Sequence, residues 1–110
     1  MEKLLMARFD VYPNPGQSAA GTPYLLEVQS DLLDGLSTTV VVPLCRENAF
    51  AKIKLPMRLT PALRINGENF LMETPKLAAV PRKMLKNPIT NLIAEQSSIS
   101  NALDFLFQGY

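Results

Sequence analysis

The hydrophobic pattern of the chain changes period once. Over the first two thirds, short apolar runs separated by turn residues read as strands. "ARFDVY", residues 7–12, alternates polar and apolar, as a half-buried strand does. "PNPGQSAAGTP", residues 13–23, reads as a loop of proline, glycine and small polar residues. "YLLEVQ", residues 24–29, returns as a second strand. "TTVVVPL", residues 38–44, is β-branched and largely apolar, which suits a central strand buried on both faces. Pro43 cannot donate to a ladder, so it is expected at that strand's end or at a sheet edge.

The stretch from Cys45 to Pro61 is expected to make a short helical turn and then a loop. In "ALRINGENFLME", Asn66-Gly67 fits a type I′ hairpin turn, whose two central positions need positive φ. It would join residues 62–65 to residues 69–73. "LAAVP", residues 77–81, is a further short strand. Then the period lengthens: Ile99, Ala102, Leu103, Leu106 and Phe107 recur at helical spacing. A helix over 91–107 follows, with Asn91 as N-cap and Gly109 as terminator. Phe105 would lie on the opposite side. The architecture implied is mainly β with one C-terminal α-helix, a strongly bent antiparallel sheet forming a small barrel.

Composition narrows the function. At 110 residues there is room for one core. A net charge of +1 argues against a strong electrostatic grip on nucleic acid or on an anionic membrane. No stretch nears the roughly 20 apolar residues that span a bilayer, and "MEKLLMARF" lacks a signal-peptide core, so the cytoplasm is the expected compartment. Met6 could itself be a start, making residues 1–5 an extension before a single domain over 6–110. With no histidine in the chain, a Ser-His-Asp triad, a Cys-His pair and a histidine metal site are all excluded. No catalytic residue, metal ligand or cofactor site is expected.

Several stretches have two readings. Asp31 and Asp34 are three apart and could pair for acid–base work or a metal; an Asp-rich turn bending at Asp34-Gly35 is the simpler account. Leu32 and Leu33 cannot both face a core from an extended segment, which points to a contact surface. Lys52, Lys54, Arg58, Arg64, Arg82, Lys83 and Lys86 could form an RNA-binding face, or a solvated surface interleaved with core positions. Cys45 in its apolar run reads as a small buried hydrophobe, and Met57, Met72 and Met84 as core filler. The ending "LDFLFQGY", residues 103–110, either completes the core or is held out for a partner, and aromatic anchors dominate binding hot spots.

"FDVY", "VQSDLLD", "VVPL", "LAAVP" and "ALDFLFQGY" occur in this order and spacing. Together they resemble the CcdB toxin family of bacterial toxin–antitoxin modules, from about Met6 to Tyr110. The resemblance implies an SH3-like barrel, of the kind shared with the Kid and MazF toxins, assembled as a symmetric homodimer. It implies a non-catalytic toxin that binds the A subunit of DNA gyrase, traps the enzyme on cleaved DNA and is neutralised by a CcdA-like antitoxin. It places gyrase contacts at Gln108, Gly109 and Tyr110, with Asp104 on the helix, Ser30, Leu32 and Leu33 in "VQSDLLD", and Phe9 on the first strand. The antitoxin would touch Asn14, Gln17, Ser18 and Thr22. The tail departs from the Trp-Gly-Ile ending of the family's best-known member: Tyr110 must enter a pocket shaped for a branched aliphatic, and overfilling commonly costs about 1–3 kcal/mol. Two other readings share the fold: a MazF/Kid-type endoribonuclease using Arg64 with Asp10 or Asp31, and a non-toxic homologue kept for antitoxin binding.

Overall fold

The computed structural model describes residues 7–16, 19–49 and 55–109. The proposed extension at 1–5, together with Gln17, Ser18, Lys52, Lys54 and Tyr110, lies outside the described residues. Among the described residues, seven strands form one antiparallel sheet: β1 (Asp10–Pro13), β2 (Tyr24–Glu27), β3 (Thr38–Arg46), β4 (Ala62–Ile65), β5 (Glu68–Met72), β6 (Ala78–Pro81) and β7 (Thr90–Asn91). One helix follows, α1 (Gln96–Gln108). The strand order is β4-β5-β3-β2-β1-β7, with β6 also paired to β3. The sheet closes nearly on itself, and the helix covers it, giving a small SH3-like barrel.

The nine-residue β3 organises the barrel. One edge pairs with β2; the other pairs with β6 over residues 38–41 and with β5 over residues 44–46. Its apolar residues are buried on both faces because two clusters flank it. Val42 and Leu44 join Val11, Leu26, Leu63, Phe70 and Met72 in the main core, which Ile99 and Ala102 of α1 close. Val41 faces a smaller cluster with Tyr12, Leu25 and Leu85.

Pro43 sits inside this strand, not at its end. Val28 N–H donates to Val40 O, so the ladder to β2 uses residues 40, 42 and 44 of β3. The Pro43 nitrogen therefore faces the other edge, where β6 pairing has ended and β5 pairing begins. The missing donor falls in that gap, while the Pro43 carbonyl accepts from Glu73 N–H at 2.9 Å.

The 66–67 hairpin forms as its sequence predicts: Asn66 has φ 53° and Gly67 φ 82°, with Ile65 paired to Glu68. A 3-10 turn at Glu47–Ala49 follows β3, as expected after Cys45.

The first strand starts later than residue 7. Phe9 adopts φ 74°, in a turn closed by Asp10 N–H to Ala7 O, and the Asp10 carboxylate accepts the Ala7 N–H at 2.8 Å. The helix also starts later than Asn91. That residue pairs in β7, its amide nitrogen donates to Arg8 O and Asp10 Oδ1, and its Oδ1 accepts the Ile93 N–H. Asn91 thus takes up the first N–H of a 3-10 turn at Ile93–Glu95, whose N-cap is Leu92, and α1 follows from Gln96.

Candidate functional site

Two surface features collect most of the residues singled out by sequence. The first is the turn after β2. Asp31–Leu33 forms a 3-10 turn whose N-cap is Ser30, with Ser30 Oγ accepting Leu32 N–H at 3.1 Å. Asp34 N–H donates to Asp31 O and Leu36 N–H to Leu33 O, so the segment winds tightly and turns its side chains outward. Leu32 is 93% exposed, and Leu33 and Leu36 are about half exposed. A tight, capped turn that holds three leucines in water is a contact surface in waiting.

What holds this turn was not legible as a motif. Arg8 N–H donates to Asp31 Oδ1 at 2.7 Å, and Arg8 Nε to Val28 O at 2.9 Å. The Arg8 guanidinium also lies 4.6 Å from the Phe9 ring centroid. Asp31 is thus occupied in anchoring the turn, which favours the simpler reading of Asp31 and Asp34. Asp31 and Val28 lie 23 and 20 positions from Arg8, separations that no local pattern announces.

Phe9 itself stands at a different level. Its ring is 1% exposed and belongs to the main core, so it offers a partner no side-chain surface. Its backbone instead ties two elements, donating to Glu27 O and accepting from Leu92 N–H. The resemblance to the CcdB family, and not the strand pattern, placed it among the expected gyrase contacts.

The second feature is the C-terminal end of α1. Asp104, Gln108 and Gly109 are exposed. Gly109 takes the left-handed conformation, φ 81°, and its N–H donates to Phe105 O at 2.9 Å. The buried stripe is shorter than expected: Ile99 and Ala102 are buried, Leu103 and Leu106 half-buried, and Phe107 is 70% exposed. Eight residues on from Ile99, Phe107 lies about 80° round the helix, away from the barrel. Phe105, expected on the outer side, is half-buried beneath the Arg58 guanidinium, 5.0 Å from its centroid. Among the described residues, no hydrogen bond, ion pair or ring contact joins the Leu32 turn to the helix end.

The loop between β1 and β2 borders a third feature. Asn14 Nδ2 donates to Thr22 O at 2.7 Å, Asn14 N–H to Pro23 O, and the Asn14 Oδ1 accepts the Gly16 N–H. Asn14 and Thr22 line a largely apolar groove of about 350 Å³ with Leu25, Val41, Val80 and Met84.

The remaining candidates are structural. Arg82 is no free surface cation: its Nη1 lies 3.0 Å from Glu27 Oε2 in a pair almost shut off from water. Arg64 is exposed on β4, while Asp10 is buried on β1 and engaged by Ala7, Asn91 and Tyr12. No ion pair or hydrogen bond links Arg64 to Asp10 or Asp31. Burial, with the Glu27 and Asp10 carboxylates adding, raises the Tyr12 phenol above its ordinary value. Burial likewise pushes the Cys45 thiol up to about 11, keeping it a protonated hydrophobe. Met72 is core as expected, but Met57 is 87% exposed and Met84 is exposed as well. The described residues contain no cluster of three or more carboxylate, thiol or imidazole groups fit for a metal, and no helix long and apolar enough to cross a membrane.

Comparison with protein families agrees with this architecture. The family model described as CcdB protein matches residues 8–109, nearly the whole chain. The chain belongs to the CcdB family, the toxins of toxin–antitoxin modules.

Proposed function

We propose that this protein is a non-catalytic poison of DNA gyrase. It binds the gyrase A subunit through the Leu32 turn and the C-terminal segment, and it stabilises the complex of gyrase with cleaved DNA. The observation that carries this reading is Leu32, 93% exposed on a turn fixed by Ser30 and Arg8. A turn whose backbone is already fixed loses little backbone entropy on docking. Ser30 and Leu33 flank it, while Asp104, Gln108, Gly109 and Tyr110 form the second contact. A symmetric homodimer would carry both contacts in duplicate, and the exposed Ile89, Ile93 and Phe107 supply apolar area for association. Phe9 supports the site from inside the barrel.

A CcdA-like antitoxin is the second partner, taken up at the loop bearing Asn14, Gln17, Ser18 and Thr22. The groove beside that loop supports the reading, since an extended segment could lay apolar side chains in it. The site of action is the cytoplasm, where gyrase works. The ribonuclease alternative draws no support from the separate placement of Arg64, Asp10 and Asp31.

The test is a supercoiling and cleavage assay with gyrase, plasmid DNA and ATP, run beside a variant lacking residues 108–110. Linear DNA should accumulate with the full chain and not with the truncated one. Cleaved RNA without DNA breaks would overturn the proposal in favour of the ribonuclease.

A further inference from the structure

The segment 55–61 is held in place beside the flank of α1. Leu59 N–H donates to Pro56 O and Thr60 N–H to Met57 O, while Leu59 and Thr60 are buried. Pro61 O accepts the Met72 N–H, fastening the segment to β5. Between these anchors Arg58 projects towards the helix. A small groove of about 250 Å³ separates Met57, Arg58 and Pro61 from Ser98 and Asn101. The guanidinium crosses towards the helix and lies over the Phe105 ring at 5.0 Å. Among the described residues no carboxylate pairs with Arg58, so the ring is its specific partner there.

Phe105 has a second task. Its carbonyl accepts the Gly109 N–H that closes the helix, and the left-handed Gly109 sets the direction in which the chain leaves. On a helix, positions 101, 105 and 108 share one flank, and Asp104 lies beside it. The ring that Arg58 restrains thus belongs to the residue whose backbone aims the C-terminal segment.

We infer that Arg58 is a positioning residue for the C-terminal recognition segment. By holding Phe105 it keeps the 105–109 cap formed, and with it the course of the chain through Gly109. The inference rests on the reading of that segment as a gyrase contact, but the clamp has a readout of its own. A partner meeting an already ordered segment has less freedom to remove on binding.

The experiment combines amide hydrogen exchange at Gly109 with gyrase inhibition for the full chain and the variants Arg58→Gln, Arg58→Lys and Phe105→Leu. An exposed cation–ring contact corresponds to about a two- to fivefold effect. Arg58→Gln should speed Gly109 exchange by that factor and raise the half-inhibiting concentration similarly, with the melting temperature nearly unchanged. Arg58→Lys should recover part of both. Phe105→Leu should reproduce the loss, and Arg58→Gln added to it should change nothing more. Unchanged Gly109 exchange in Arg58→Gln, or a full further effect in the Phe105→Leu background, would overturn the clamp. If the unaltered protein fails to inhibit gyrase, the gyrase reading falls, and the exchange measurements still decide the clamp.

Discussion

Arg82 and Glu27, 55 positions apart, meet with Nη1 3.0 Å from Oε2, while Thr39 Oγ1 donates to the same oxygen at 2.7 Å. The Glu27 side chain is almost fully enclosed, whereas Arg82 sits nearer the rim. The two partners are therefore not equivalent. Arg82→Met strands a buried carboxylate and should cost about 3–5 kcal/mol. Glu27→Leu leaves a guanidinium that can reach water and should cost less. The double replacement should recover most of the loss, because removing both charges also removes their desolvation penalty. Urea unfolding of the three variants checks the order; equal losses for the two single changes would contradict it.

Leu32 separates function from folding. A side chain 93% exposed contributes little to the folded state, so Leu32→Asp should alter stability by no more than about 0.5 kcal/mol. A charge at the centre of an apolar contact should weaken gyrase binding at least about tenfold, the size of a loss of 1.4 kcal/mol or more. Calorimetric melting and titration against the gyrase A subunit report the two quantities independently. A variant that folds normally and binds normally would remove this turn from the recognition surface.

Gly67 is a backbone position. Its φ of 82° falls where a Cβ is penalised, although the space around it is open. Gly67→Ala should therefore cost about 1–2 kcal/mol through conformation alone. Asn66→Gly, whose residue already tolerates φ 53°, should be nearly neutral. Equilibrium unfolding distinguishes conformational strain from a steric clash, since a clash would penalise larger residues at 67 far more than alanine.

Local signals served the fold well wherever the physics was local. Asn66-Gly67 dictates its turn through φ alone, and the period of Ile99, Ala102 and Leu103 fixes which face of the helix is buried. The errors came where distant residues decide. Asn91 looks like a helix cap until β1 pairs with it. Phe9 is the local exception: its alternating pattern reads as strand, but a turn between Ala7 and Asp10 takes it to positive φ. Pro43 is tolerated because β3 changes partners beside it, which no property of residues 38–44 reveals. At the candidate site, the leucine pair stood out as a conflict with burial, but Arg8 and Arg58 could be assigned only once Asp31 and Phe105 were found beside them.

Cys45 gives the alkaline limb of stability a specific origin. Burial, with the Glu73 carboxylate adding, lifts its thiol from 9.0 to about 11. Between those values the unfolded chain has released the proton and the folded chain retains it. The unfolded state then binds fewer protons, so stability falls as pH rises from about 9 towards 11, by up to about 1.4 kcal/mol per pH unit. Tyr12, also raised, acts in the same direction above its ordinary 10.0, so the cysteine's share is cleanest between pH 9 and 10. Cys45→Ala should lower stability at neutral pH through lost packing, yet its stability should decline less steeply across that window. Parallel pH profiles for the two proteins would show that the thiol titrates alike in both states, and that its burial does not disfavour the thiolate.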